Sequence, residues 1–162
     1  MRGGTFTLRT SDSAEPITVR IPPGADEGSK LRIPGQGAPG ANGGPRGDLL
    51  LNIHVRPHPF FRREKSDLHL DLPVTLGEAY EGAKVKVPTA DGFVTLKVPP
   101  HTQSGQVARL KGKGVARKTE APGDLYVHFL VQLPTAETPE VKHAIEELEA
   151  AYEGDPRANI EF

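Results

Sequence analysis

A stretch of 17 residues occurs twice in this chain, 77 positions apart. The first copy is Ile21-Pro-Pro-Gly-Ala-Asp-Glu-Gly-Ser-Lys-Leu-Arg-Ile-Pro-Gly-Gln-Gly37. The second is Val98-Pro-Pro-His-Thr-Gln-Ser-Gly-Gln-Val-Ala-Arg-Leu-Lys-Gly-Lys-Gly114. Both keep Pro-Pro, then a glycine (Gly28, Gly105), an arginine (Arg32, Arg109) and Gly-x-Gly (Gly35/Gly37, Gly112/Gly114). Each is followed by a variable loop and then by Gly-Asp-Leu, at 47–49 and 123–125, heading a long alternating apolar run. Solenoid repeats have periods of roughly 20–50 residues. A longer period points to a duplicated small domain, so the chain reads as two copies of one β-module followed by a tail.

Alternation places the strands. Phe6 and Leu8 alternate with Thr5, Thr7 and Arg9, and Ile17, Val19 and Ile21 alternate with Thr18 and Arg20 until Pro22-Pro23. The turn cluster Ser11–Pro16 between them predicts a hairpin. A short strand at Lys30–Ile33, a Gly/Pro-rich loop at Gly35–Arg46 and a strand at Leu49–Val55 complete the first module. Pro57-His58-Pro59 ends that strand and begins the connection to the second module.

The second module opens with alternating Leu68, Leu70 and Leu72. Thr75-Leu-Gly-Glu78 has the form of a capping box and predicts a short helix over Leu76–Tyr80, ended by Gly82. Lys84–Val87 and Phe93–Val98 read as a hairpin around Ala90-Asp91-Gly92. Val107–Leu110 and Leu125–Leu133 are the last strands. The second module thus carries a strand and helix (Asp67–Glu81) ahead of its hairpin that the first lacks, so the first is expected to be shortened on its N-terminal side.

In the tail, Thr138 caps a helix with Pro139 at its first position. Val141, Ile145, Leu148 and Tyr152 recur at spacings of four, three and four, with Ala144 and Ala151 filling the stripe. That stripe has two ways to be buried, against its own module or against the same helix of a second chain, and the reading favours self-association.

Composition excludes several classes. Lys+Arg 20 against Asp+Glu 21 gives a net charge of −1, without the basic excess of a dedicated nucleic-acid binder. The chain has no cysteine, which rules out disulfides, zinc ribbons and thiol catalysis and fits a reducing, cytoplasmic setting. No run has transmembrane length and no signal-peptide core opens the chain, so no membrane partner is expected. Gly 18 and Pro 16 fit a β-rich chain with many turns.

No catalytic constellation can be assembled, and neither an enzymatic activity nor a cofactor or metal is expected. His54 and His58 would lie roughly 13 Å apart along a strand. Gly112-Lys-Gly114 lacks the rest of a phosphate-binding loop, and its counterpart Gly35-Gln-Gly37 lacks the lysine, so a turn role explains both copies. Asp48 and Asp124 follow glycine at matching positions, which reads as structural rather than as a carboxylate pair for hydrolysis. Arg109, Lys111, Lys113, Arg117 and Lys118 form the one basic cluster. It is the candidate contact for phosphates, although no interleaved aromatic offers base stacking. Periodicity alone makes Phe6 and Leu8 ordinary core residues. A half-sheet with a free edge can also accept an extended peptide.

The ordered motifs resemble those of a known family. They are the duplicated Pro-Pro-x4-Gly-x3-Arg-x2-Gly-x-Gly with its Gly-Asp-Leu, then His58-Pro-Phe-Phe-Arg-Arg63, Ser66-Asp-Leu68, Leu76-Gly-Glu-Ala-Tyr-Glu-Gly82 and Pro88-Thr-Ala-Asp-Gly92. From about residue 4 to residue 153 the chain is similar to the C-terminal substrate-binding and dimerisation region of DnaJ-type (J-domain) co-chaperones, of the zinc-free kind. The resemblance implies a mainly β fold. Two tandem small β-sandwich-like domains (1–60 and 61–135) with short helical elements would precede a dimerisation helix at 138–153.

The resemblance also implies a role. Unfolded or misfolded polypeptides would be bound and, in the full-length family, delivered to a DnaK-type ATP-dependent chaperone. By position, Phe6, Leu8 and Leu51 match the peptide groove, and Val141, Ile145, Leu148 and Tyr152 match the helix of a homodimer. His58-Pro59 is followed by Phe60, so the His-Pro-Asp of a J-domain is absent, as are a Gly/Phe-rich linker and the Cys-x-x-Cys repeats of zinc-containing members. The rival reading from another class is a nucleoid-associated DNA binder of the same family, using Arg109 to Lys118.

Overall fold

A computed structural model describes residues 3–9, 16–40, 44–117, 120–158 and 160. They divide into two compact units, residues 1–131 and 132–162. In chain order the first unit holds β1 (Gly4–Leu8), β2 (Ile17–Ile21), β3 (Lys30–Ile33), β4 (Leu49–Asn52), β5 (Phe61–Glu64), β6 (Asp67–Thr75), α1 (Leu76–Glu81), β7 (Ala83–Thr89), β8 (Gly92–Val98), β9 (Val107–Leu110) and most of β10 (Leu125–Gln132). The second unit holds α2 (Pro139–Glu149).

The duplication governs the hydrogen bonding. β3 pairs antiparallel with β4, Leu31 opposite Leu51, as β9 pairs with β10, Ala108 opposite Val127. In the first copy Asp48 takes an ion pair from Arg32 and the Gly35 N–H at 2.9 Å. In the second, Asp124 takes Arg109 Nε and the Gly112 N–H, both at 2.7 Å. Both carboxyl groups are held below the ordinary carboxylate range, first by the glycine N–H and then by the arginine. One side chain thus closes each turn.

The two glycines of each Gly-x-Gly serve different needs. Gly35 and Gly112 hold φ of +69° and +70°, where an L side chain is disfavoured. Gly37 and Gly114 permit a close backbone approach. A Cβ at Gly37 would meet Asp48 O at 2.6 Å, and one at Gly114 would meet Ser66 O at 2.6 Å.

The core belongs to the second module. Leu70, Val74, Ala79, Val87, Leu96, Val98, Leu125, Val127 and Phe129 form one buried cluster. It lies between the sheet of order β5-β6-β10-β9 and the β7-β8 hairpin, with α1 beside them. α1 starts on a complete capping box, Glu78 N–H to Thr75 Oγ1 at 3.2 Å and Thr75 N–H to Glu78 Oε2 at 2.9 Å. The first module buries Ile17 and Val19 on β2. Its strands pair as β1-β2 and β3-β4.

The structure departs from the sequence reading at several points. The alternation of Leu49–Val55 runs past the end of β4 at Asn52; Ile53 still exchanges bonds with Gly28 and Ser29, and at Val55 the N–H turns to a side chain, the Glu27 carboxylate. β5 is a strand where only a connection was expected. Two-residue alternation is present there, with Phe61 and Arg63 half-buried and Arg62 and Glu64 exposed, but three charged residues conceal it. Both helices lie beyond residue 75, so among the described residues the first module has no helical element. α2 stops at Glu149 rather than 153, with Ala150 as its cap. The turn cluster Ser11–Glu15 and Lys118 lie outside the described residues.

Candidate functional site

β1 and β2 form the expected antiparallel hairpin, with Phe6 opposite Val19 and Leu8 opposite Ile17. Phe6 is 53% exposed although it lies across from buried Val19. Leu8 and Leu51 are half-buried. Phe6 and Leu8 sit on one two-stranded sheet and Leu51 on another, so these three residues belong to separate sheets of one module.

The duplication shows what such positions normally do. Pairing register and repeat offset together match Phe6 with Val85, Leu8 with Val87 and Leu51 with Val127. In the second module Val87 and Val127 are fully buried and Val85 packs on the same core. That core is closed by Leu70 and Val74 of β6 and Ala79 of α1. β10 has β9 on one side and β6 on the other, whereas β4 pairs only with β3 among the described residues. Phe6, at a position matching one that packs on the second module's core, is thus a core-type side chain left largely exposed. Such a surface can add an extended strand by backbone hydrogen bonds and seat its alternate side chains.

A junction holds the two modules together, and sequence reasoning missed it. Arg63 of β5 reaches back to the turn after β2. Its guanidinium donates to Ala25 O at 2.9 Å and Gly24 O at 3.1 Å and pairs with Asp26. Its Nε donates to Lys65 O at 2.7 Å. The side chain is only 14% exposed. Arg117 adds a second pair to Asp26 at 3.1 Å. Beside them Glu27 is bound by the Val55 N–H and by His54, which hold its carboxyl below the ordinary range.

The basic cluster is largely neutralised. Arg109 pairs with Asp124, which raises its affinity for its proton. Lys113 pairs with Asp91 at 3.3 Å, and Arg117 with Asp26 and with Glu120 at 3.7 Å. Among the described members only Lys111 has no ion-pair partner. Arg109 stands over the Tyr126 ring, 6.0 Å from its centroid. His54 and His58 share no site, since His54 binds Glu27 while His58 Nδ1 accepts the Phe60 and Phe61 N–H groups.

In the second unit Thr138 Oγ1 accepts the Val141 N–H at 3.3 Å and Pro139 occupies the first turn of α2, as the sequence predicts. Val141 is half-buried, and Ile145 and Leu148 are 46% and 45% exposed. Tyr152 lies past the helix end and is 64% exposed.

The fold so defined is a duplicated β-module followed by a helix whose Ile145 and Leu148 are about half exposed. The family described as DnaJ C terminal domain matches residues 2–134, and the chain belongs to that family. It is 44% identical over 140 residues to Chaperone protein DnaJ 2 of Aromatoleum aromaticum, covering 86% of this chain and 37% of the relative. It is 43% identical over 134 residues to Chaperone protein DnaJ of Neisseria meningitidis, covering 82% of this chain and 36% of the relative. The chain therefore spans little more than a third of the curated relatives it matches. Among the described residues no helix is long and apolar enough to cross a membrane.

Proposed function

We propose that this chain is the client-binding part of a co-chaperone, and that its first module takes extended, apolar, unfolded polypeptide. Phe6, Leu8 and Leu51 contact the client's side chains, and the edge of β1 bonds its backbone. The observation that carries this reading is that these residues occupy positions which the second module uses for its core, yet Phe6 is 53% exposed. The names of the relatives, chaperone proteins of the DnaJ type, support the same role. Delivery to a DnaK-type ATP-dependent chaperone, in a cytoplasmic setting, belongs to this reading for the full-length protein.

Ile145 and Leu148, with Val141 and Tyr152, supply the apolar face through which two chains pair. Two groups of binding residues in one dimer raise avidity for a long client. No chemical step is assigned to the chain. The DNA-binding alternative is not favoured, because Arg109, Lys113 and Arg117 are already paired with carboxylates.

The test is binding of a permanently unfolded, fluorescent polypeptide at two salt concentrations, with duplex DNA alongside. Phosphate contacts weaken steeply with salt and apolar contacts do not. Salt-tolerant polypeptide binding that the Phe6→Ala/Leu8→Ala variant reduces at least tenfold is expected, with truncation of two anchors costing about 1–2 kcal/mol each. Tight, salt-sensitive DNA binding without polypeptide binding would replace this reading with the nucleic-acid one.

A further inference from the structure

The junction between the modules encloses a cleft of about 600 Å³, within the usual range for ligand sites of roughly 300–1,000 Å³. Val55 and Pro57 line it from the first module and its connection, and Phe61, Leu68, Pro88 and Ala90 line it from the second. Its charged lining is unevenly satisfied. Asp26 is held by Arg63 and Arg117, and Glu27 by His54 and the Val55 N–H. Arg56 and Lys65 line the same cleft, are exposed, and have no ion-pair partner among the described residues. Asp26 is thus matched by two arginines and Glu27 is engaged by its own hydrogen bonds, while Arg56 and Lys65 remain available.

The apolar surface continues past the cleft. Phe93 is 76% exposed and lies directly across from Pro88 in the β7-β8 pairing, so the two share one face of that hairpin. Phe60 is 63% exposed and borders Phe61. Exposed aromatics flanking an apolar cleft mark an interaction surface larger than a small molecule needs.

We propose that this cleft is a second polypeptide site, for an extended segment in which a bulky apolar residue adjoins an aspartate or glutamate. The apolar side chain enters between Val55, Phe61, Leu68 and Pro88. The neighbouring carboxylate meets Arg56 and Lys65, and the flanking residues of the segment run over Phe93 or Phe60. The proposal deepens the client-binding reading and rests on it. It adds charge selectivity that the first-module surface, built from Phe6, Leu8 and Leu51, does not provide.

The experiment uses the full chain, isotope-labelled, titrated with two peptides, Ser-Ala-Phe-Asp-Ala-Ser and Ser-Ala-Phe-Lys-Ala-Ser, both capped at their termini. Amide shifts are followed at Val55, Lys65, Leu68 and Ala90, and separately at Thr5–Leu8 and Leu50–Asn52. The expected result is that the Asp peptide moves the junction amides and binds there about tenfold more tightly than the Lys peptide. Arg56→Glu/Lys65→Glu should reverse that preference, because two exposed pairs attractive to the aspartate become repulsive to it and attractive to the lysine. Both residues are exposed, so thermal unfolding of the variant should match the parent.

Shifts confined to Thr5–Leu8 and Leu50–Asn52 would overturn the junction site and leave the first-module reading standing. Junction shifts alone would sustain the site and remove that reading. No shifts at either place would overturn both. Equal junction binding of the two peptides would overturn the proposal, since its charge selectivity would be absent.

Discussion

Arg63 is the residue whose replacement best tests how the modules are joined. Its guanidinium satisfies the carbonyls of Gly24, Ala25 and Lys65 and the Asp26 carboxylate from a side chain only 14% exposed. Arg63→Met keeps most of the aliphatic stem and removes every donor. Hydrogen bonds involving a charged group contribute about 1.5–3 kcal/mol each. Not all are lost in full. Asp26 is 54% exposed and retains Arg117, and Lys65 O is a local partner. Counting mainly the Gly24 and Ala25 carbonyls, each at the low end of that range, gives about 3 kcal/mol, at the bottom of the ~3–5 kcal/mol typical of breaking a buried charged pair.

That loss should fall on the junction. Gly28 N–H bonds Ile53 O at 2.9 Å and Ile53 N–H bonds Ser29 O at 2.8 Å, just beyond the turn that Arg63 grips. Native-state hydrogen exchange of these two amides should quicken by about 100-fold. The Phe129 amide, bonded to Gln106 O at 2.9 Å inside the second module's framework, should change far less. Arg63→Lys should fall between, since an ammonium cannot grip the same acceptors in a planar fork. Unchanged exchange at Gly28 and Ile53 in Arg63→Met would refute the latch. An equal rise at Phe129 would refute its location, showing that Arg63 supports the second module as a whole.

Three further outcomes follow from the geometry. Asp48 and Asp124 have folded pKa values below their unfolded ones, so their stabilisation is present above about pH 4 and is lost as pH falls through the folded values. Chemical denaturation from pH 5 downward should show that loss, and Asp124→Asn should make it shallower. Gly114→Ala should destabilise more than Gly112→Ala, as thermal unfolding would show. The first forces a Cβ to 2.6 Å from Ser66 O, while the second meets nothing nearer than 4.0 Å and pays only the left-handed cost of about 1–2 kcal/mol. Leu148→Glu, on the exposed face of α2, should shift sedimentation from dimer to monomer with an unchanged β-sheet circular dichroism signal; a monomeric parent would remove the pairing reading.

What was legible in the sequence was what is local and what is repeated. The Arg32–Asp48 and Arg109–Asp124 closures join residues 16 and 15 positions apart, and each motif occurs twice. Their shared order, Arg then Gly-x-Gly then Gly-Asp, could therefore be read as structural, and the Asp partners show that role. The Thr75–Glu78 capping box and the Ala90-Asp91-Gly92 turn were legible for the same reason, since each is fixed within a few residues. β5 was not, because Arg63 takes an inward position at a junction rather than being solvated, and a single Phe61 among three charged residues gives no apolar period to read. Tyr152 continues the stripe in spacing, yet α2 has already ended at Glu149.

The junction was illegible for a deeper reason. Arg63 meets Gly24, Ala25 and Asp26 across 37–39 positions, and Arg117 meets Asp26 across 91. No periodicity encodes such pairs. Their effect is to change the meaning of residues that sequence had classed by charge alone. Arg117 reads in sequence as part of a phosphate-binding cluster and is a tie between modules, whereas Arg56 and Lys65, which belong to no cluster in sequence, line the cleft with no ion-pair partner among the described residues. A cluster of cations along a sequence is a weak guide to an anion site. The stronger guide is which cations remain after the fold has assigned partners to the others, and here those two stand at the rim of the cleft where the modules meet.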